Sequence, residues 1–163
     1  MQRLLFAVLS LGLLVSRGAE AQTPRSSVQG VWRAVEATTT GAAARTISFA
    51  ERPNLTIITE KHYSRVEIQA DGPRPIPADV ARANADELRA AWGPLVAEAG
   101  TYELTSGLIT MRPIASKNPA VMGAGVFITY AYKIDGNTLS ITQQRNQNGP
   151  FPNPFTLKFV RVE

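Results

Sequence analysis

Residues 126–145, VFITYAYKIDGNTLSITQQR, carry the clearest structural signal in the chain. Two stretches rich in β-branched and aromatic residues flank Asp135-Gly136-Asn137. An Asp-Gly pair accepts the positive φ that tight hairpin turns require. The pattern therefore predicts two antiparallel strands, 125–134 and 138–145, joined by a hairpin.

The same alternation of short apolar stretches and turn residues recurs along the chain. It predicts seven further strands: 29–37, 45–51, 54–60, 63–69, 100–105, 108–115 and 155–162. Successive strands are joined mostly by short turns, such as Ser106-Gly107, and no helix alternates with them. We therefore expect a mainly β protein, an antiparallel up-and-down barrel of about eight or nine strands.

One segment in the middle of the chain predicts a helix instead. Residues 78–92 are rich in helix formers and are followed by Gly93-Pro94, so we expect a single inserted helix with Asp79 as its N-cap. Apolar residues recur in it at helical spacing and form one stripe: Ala81, Ala85, Leu88, Trp92 and Leu95. Such a stripe would lie on the sheet, either as a plug that completes the core or as a lid over a cavity.

The composition fits one globular domain and excludes several kinds of site. The chain has 163 residues, 44% hydrophobic and 18% charged, with no cysteine and one histidine, His62. A disulfide scaffold, a Cys-bound zinc and a thiol nucleophile are excluded, and one histidine argues against a His-built metal site or a Ser/His triad. We expect no catalytic residue, no metal and no cofactor. Asn54-Leu55-Thr56 matches the glycosylation sequon, which we treat as chance.

The net charge and the N-terminus bear on partners and location. The charge of +4 comes from scattered basic residues, so we expect no nucleic-acid partner.

An apolar run over 4–15 follows Arg3 and precedes Ala19-Glu20-Ala21, which has the A-x-A form of a signal-peptidase site. We predict a signal peptide over 1–21, no membrane span, and a periplasmic or secreted product. The oligomeric state stays open.

After the predicted signal peptide, the rest of the chain divides into two parts. Residues 22–27 form a polar stretch that we expect to be a flexible leader, and residues 28–163 form the barrel domain.

Gly30-Val31-Trp32, at the start of the first strand, has the Gly-x-Trp form that opens lipocalins. In that family the tryptophan packs at the closed end of the barrel under a basic side chain from the last strand. The resemblance implies that Trp32 and Arg161 form this pair. Other segments resemble bacterial lipocalin-like domain proteins: 61–65, 91–94, 100–103, 117–119 and 135–139.

The resemblance covers 28–163 and implies a calycin-type barrel that binds a small hydrophobic or amphipathic molecule in its interior. Two departures limit it. The helix interrupts the middle of the chain, whereas lipocalins carry it after the eighth strand. Arg161-Val162-Glu163 also lacks the tyrosine of the Arg-x-Tyr pair found in fatty-acid-binding relatives, so no specific ligand carries over.

Polar residues on the predicted strands are the candidate ligand-binding groups. Tyr63, Arg65 and Glu67 share one face of their strand, and either this face or the one with Val66 and Ile68 points inward. Further candidates stand on other strands: Arg112, Tyr130, Tyr132, Gln143 and Arg145. A buried arginine needs a partner. Arginines and tyrosines that converge inside the barrel would form a fork for an anionic head group.

Three functions remain open. The preferred one is non-enzymatic binding of a small hydrophobic or amphipathic molecule in the barrel, which predicts an interior cavity with Arg or Tyr at its depth. An enzyme of isomerase or cyclase type would need His62, Tyr63 and Glu67, or an arginine, within hydrogen-bond reach. A periplasmic interaction or inhibitor module would use loops 115–124 and 146–154, on a filled barrel with an exposed apolar patch there.

Overall fold

The computed structural model describes residues 27–163, which form a closed antiparallel barrel. The predicted signal peptide and residues 22–26 of the predicted leader lie outside the described residues. The up-and-down barrel with one inserted helix, expected from the sequence, is confirmed, and this architecture fits a lipocalin-like barrel.

The elements follow one another as β1 Gly30–Thr39, β2 Arg45–Ser48, β3 Asn54–Ile58, β4 His62–Ile68, α1 Ala85–Trp92, β5 Leu95–Thr105, β6 Leu108–Ser116, β7 Ile128–Asp135, β8 Thr138–Asn146, β9 Gly149–Pro150 and β10 Phe155–Arg161. Two short 3-10 helices span Gly41–Ala43 and Pro119–Val121. The barrel closes in the order β1-β3-β4-β5-β6-β7-β8-β10, because β10 pairs with both β8 and β1. The short β2 and β9 are added to β1 and β8.

The two ends of the barrel differ in the length of their connections. Tight turns over 59–61, 106–107 and 136–137 lie at one end, which we call the closed end. Longer connections lie at the other end, which we call the mouth: 40–53, 69–94, 117–127 and 147–154. Loops held on a rigid wall are where recognition usually occurs, so the mouth is where we look first for a site.

The closed end is sealed by residues from both ends of the described chain. Trp32 is fully buried and its indole N–H donates to the Val28 carbonyl at 2.8 Å. The Arg161 guanidinium lies 4.1 Å from the centre of the Trp32 ring, and it donates to the carbonyls of Ser27 and Gln29 at 2.7 Å each. A cation over an indole face is attractive, and here it also joins the first strand to the last.

A side chain continues the sheet where the backbone ladder stops. β1 pairs with β3 only over Gly30–Trp32. Beyond that point the Asn54 amide takes over: its oxygen accepts from the Ala34 N–H at 2.6 Å, and its NH₂ donates to the carbonyls of Ala34 at 3.1 Å and Arg52 at 2.8 Å. The side-chain nitrogen of Asn54, which is the acceptor atom of the glycosylation sequon, therefore already donates to two backbone carbonyls.

The helix is shorter than the sequence predicts. α1 begins after Asn84, whose side chain accepts from the N–H groups of Asp86 and Glu87, while Glu87 bonds back to the Asn84 N–H. This capping box outcompetes Asp79, which caps only a turn through the Ala81 N–H. The prediction of a helix from residue 78 with Asp79 as N-cap is therefore wrong.

The predicted apolar stripe is not buried either. Ala85 is exposed and Trp92 is 51% exposed, whereas Ala91 is the helical residue that is buried. Leu95 does not continue the helix but begins β5, because 95–99 pairs with the neighbouring strand β4. This β4–β5 ladder runs unbroken through Gly100. On its other side Gly100 lies at a bulge in the β5–β6 ladder, where β6 leaves no room for a side chain: a Cβ there would lie 2.0 Å from the Arg112 carbonyl oxygen.

Candidate functional site

The register of β4 places its polar face inside the barrel. Tyr63 and Glu67 are buried at 3% and 2% exposure, and Arg65 keeps 18% of its side chain accessible. Val66, between them, is 47% exposed on the outer surface. Of the two registers that the sequence leaves open, the structure therefore has the one with Tyr63, Arg65 and Glu67 facing inward.

Glu67 is held by three hydrogen bonds. One carboxylate oxygen accepts from Nε of Arg65 at 3.2 Å and from a terminal nitrogen of the same guanidinium at 2.9 Å. The other oxygen accepts from the Gln69 amide at 3.0 Å. A buried carboxylate with this many donors is well satisfied, so Glu67 acts as the fixed anchor of Arg65.

Arg65 stays charged although it is largely enclosed. Burial lowers the pKa of its guanidinium, but the carboxylate of Glu67, then Tyr130 and Glu98, outweigh burial and raise that pKa above its usual value. Glu98 stands directly opposite Arg65 across the β4–β5 ladder. The N–H groups of Arg65 that do not bond to Glu67 have no hydrogen-bond partner among the described residues. They are free to bind an acceptor.

Two buried tyrosines complete the site. Within residues 27–163, the Tyr63 hydroxyl is the one fully buried side-chain polar atom without a hydrogen-bond partner. Burial, and then the charge of Glu98, raises the pKa of Tyr63. Burial also raises the pKa of Tyr130 to about 12. Both hydroxyls therefore keep their protons at neutral pH and can donate. We call Tyr63, Arg65, Glu67, Glu98 and Tyr130 the polar cluster.

Two other predicted residues line the interior without joining this cluster. Gln143 is buried and its side-chain oxygen accepts from the Phe155 N–H at 3.3 Å, so it braces β8 against the start of β10. Tyr132 is half-buried and packs against the apolar core. Both belong to the wall of the barrel.

Arg112 and Arg145 lie outside the barrel, so the fork of several arginines does not form. They flank the Phe127 ring, with distances of 5.4 and 5.8 Å from guanidinium carbon to ring centre. Arg112 is 44% exposed because its neighbour Met111 takes the inward position. Arg145 faces outward because a bulge near Gln143 shifts the alternation of β8.

The grouping of His62 with Tyr63 and Glu67, expected for an isomerase or cyclase, does not form among the described residues. His62 is exposed and lies on the face of β4 opposite to Tyr63 and Glu67. It is therefore out of reach of the buried carboxylate.

Sequence reasoning missed two members of the site, Glu98 and Gln69. Glu98 lies outside the predicted strands, between the predicted helix 78–92 and the predicted strand 100–105, whereas Gln69 is the last residue of the predicted strand 63–69. Extending β5 back to Leu95 and pairing it with β4 would have placed Glu98 opposite Arg65.

The open interior cavity expected for ligand binding is not present in the closed half of the described barrel. In the closed half the remaining void has a volume of about 10 Å³. Its lining is mostly apolar: Val28, Thr56, Ile58, Ile109, Met111, Tyr132, Leu139, Ile141 and Phe159. One water needs about 10–15 Å³ of such volume, so this half is filled. A molecule bound at the polar cluster therefore has to approach it from the mouth.

Comparison of the sequence with known family models and with curated proteins finds no match. In the part of the chain that the structure describes, no three His, Asp or Glu side chains are grouped to hold a metal ion. Nor does any helix there have the length and apolarity to cross a bilayer.

Proposed function

We propose that this protein binds a small amphipathic molecule, whose uncharged polar group meets the polar cluster inside the barrel. The observation that carries the proposal is the Tyr63 hydroxyl, buried without a partner beside an arginine with unused N–H groups. A buried hydroxyl that bonds to nothing costs free energy. A ligand oxygen that accepts from Tyr63 and Arg65 would remove that cost.

The charges of the cluster select the head group. One guanidinium, Arg65, stands against two carboxylates, Glu67 and Glu98. A carboxylate head would add a third negative charge, and like charges in an enclosed site repel. A carbonyl or hydroxyl oxygen accepts the same hydrogen bonds without that repulsion. We therefore expect an alcohol, ketone, ester or amide rather than an acid.

The tail of the ligand would lie toward the mouth. Half-buried Ile47, Ile128 and Phe155 pack against the core from strands that end or begin there. They offer apolar surface for a tail near the mouth. The filled closed half limits the ligand to a short molecule.

We also propose that the protein is exported and related to bacterial lipocalin-like proteins. Support for export comes from the apolar run and Ala19-Glu20-Ala21 at the N-terminus. Support for the relationship comes from Gly30-Val31-Trp32 and from the barrel itself.

Octanol tests the binding proposal, with octanoate as the charged counterpart. We expect octanol to shift the NMR signals of Tyr63, Arg65 and Tyr130 saturably, and octanoate to do so more weakly. Tyr63→Phe should weaken octanol binding by about fivefold, the value of one neutral hydrogen bond, without lowering thermal stability. Tyr102→Phe is the matched control, since the Tyr102 hydroxyl already donates to the Thr59 carbonyl at 2.6 Å.

The proposal fails if octanol leaves the three signals unchanged, or if Tyr63→Phe binds octanol as tightly as the wild type. Loss of binding in both tyrosine variants would also count against it, since the control removes a hydroxyl outside the cluster.

A protein-interaction module is the second candidate. The filled closed half favours it, together with the exposure of Ile114 (63%) and Met122 (43%) next to or within the predicted loop 115–124. Under this alternative neither octanol nor octanoate perturbs the polar cluster, and Tyr63→Phe changes nothing but stability.

A further inference from the structure

A groove on the outside of the barrel offers more room than the interior does. Two adjoining cavities of about 540 and 580 Å³ share Glu51, Arg52, Pro53 and Ile68 in their linings. Together they form one channel, the outer groove, which runs from the outer wall of β3 and β4 to segment 70–74. Each half falls in the size range of sites for small molecules.

The floor of the outer groove is apolar and accessible. Leu55 on β3 and Val66 on β4 are directly opposite each other in the ladder, and they are 42% and 47% exposed. Ile68 and Pro53 extend this surface along the groove. Adjacent large apolar side chains left in water form a patch that an apolar chain would cover favourably.

The walls carry three arginines, and two of them have no acidic partner. Arg33 donates to the Ala50 carbonyl at 3.2 Å and Arg74 to the Ala91 carbonyl at 3.1 Å. Neither forms an ion pair with a carboxylate among residues 27–163. Arg52 is bonded to Asp71 and lies 5.2 Å from the Phe49 ring centre, so it is structural.

The charge of the lining favours anions. Three guanidiniums face two carboxylates, Glu51 and Asp71, and Asp71 is already used by Arg52. The exposed Arg33 lines the same cavity as Leu55 and Val66 of the apolar floor. A cation next to an apolar strip complements a molecule with a negative head and an apolar tail.

We propose that the outer groove is a second binding site, for a small amphiphile with one anionic head group at Arg33 and its tail along Leu55 and Val66. The proposal is independent of the function assigned to the polar cluster. The two sites select different head groups, uncharged at the polar cluster and anionic at the outer groove, because the cluster holds an excess of negative charge and the groove an excess of positive charge.

Three amphiphiles with the same tail test the head-group choice: dodecanoate, dodecyl maltoside and dodecyl trimethylammonium, each kept below its critical micelle concentration. We expect dodecanoate to shift the amide signals of Leu55 and Val66 saturably. The neutral and cationic compounds should bind at least about tenfold more weakly, as expected for the loss of one charge-assisted hydrogen bond. Equal binding of all three would overturn the proposal.

Variants locate the site. Arg33→Gln should weaken dodecanoate binding by about tenfold, and Val66→Ser by severalfold. The matched controls are Lys133→Gln, an exposed cation on β7, and Val162→Ser, a 53% exposed valine near the C-terminus. Controls that weaken binding as much as the groove variants would overturn the proposal.

The signals that move also separate the two sites. Dodecanoate shifts confined to Tyr63 and Tyr130 would refute the outer groove and leave the interior site standing. If dodecanoate shifts the signals of Leu55 and Val66 and octanol leaves the polar cluster unchanged, the outer groove is supported and the interior site is refuted.

Discussion

Replacing Glu67 by Gln should destabilise the barrel by an amount that the structure allows us to estimate. The substitution keeps the shape of the side chain but removes the charge that faces the Arg65 guanidinium at 2.9 Å. Breaking a buried ion pair from one side costs about 3–5 kcal/mol. Because Arg65 retains 18% exposure and Glu98 remains opposite it, we expect the lower limit, about 3 kcal/mol.

Equilibrium unfolding in guanidinium chloride measures this cost. Trp32 is fully buried under Arg161, so its fluorescence reports the integrity of the closed end. Trp92 is 51% exposed and would add a second signal. A Trp92→Phe background removes it from both the wild-type and the variant measurements.

A paired substitution supplies the control. Arg65→Met with Glu67→Leu removes both charges and keeps apolar volume, so we expect a stability within about 1 kcal/mol of the wild type. The same double variant should weaken octanol binding, because the guanidinium donors are gone and only the Tyr63 and Tyr130 hydroxyls remain to donate. The reasoning is refuted if Glu67→Gln is as stable as the wild type, or if the double variant is as unstable as the single one.

Three further outcomes follow from contacts described above. Asn54→Asp should lower the free energy of unfolding by about 2 kcal/mol in a urea titration, because an aspartate cannot donate to the carbonyls of Ala34 and Arg52. Stability should fall as pH rises from about 10 toward about 12, because folding keeps the protons of Tyr63 and Tyr130 that the unfolded chain releases. Tyr130→Phe should reduce this loss by roughly 2–3 kcal/mol, and the part that remains belongs to Tyr63. Lys117→Met should speed hydrogen exchange of the Gly93 amide, because the Lys117 ammonium donates to the carbonyls of Trp92, Gly93 and Leu95 at the end of α1. Unchanged exchange would mean that the lysine does not hold this end of the helix.

Local chemistry made part of the fold predictable. The β7–β8 hairpin depends on Asp135-Gly136-Asn137, and Gly136 does adopt a positive φ of 56°. Turns of this kind are decided by a few neighbouring residues, so the sequence is enough to find them.

Elements that depend on distant partners were harder to predict. Residues 95–99 suit a helix by propensity, and they become part of β5 only because β4 pairs with them. The orientation of Arg145 depends on a bulge in the β7–β8 ladder, which single-strand alternation cannot reveal. These two effects explain why Glu98 was missed and why Arg145 was expected inside.

The candidate site was predictable as a set of residue types and not as a geometry. Tyr63, Arg65 and Glu67 were recognised as one face of a strand, but their inward orientation depends on which face of the whole barrel is apolar. The unpartnered Tyr63 hydroxyl is a property of packing, and it has no signature in the sequence.

The pairing of β1 with β10 has a consequence for how the protein is made. A chain emerges from the ribosome with its N-terminus first, so β1 is exposed long before β10, the strand that closes the barrel against it. Until β10 is synthesised, β1 keeps an unpaired edge and the barrel stays open. The closed barrel therefore forms only after β10 has been synthesised, and until then the chain depends on other means to keep the β1 edge from pairing with another molecule.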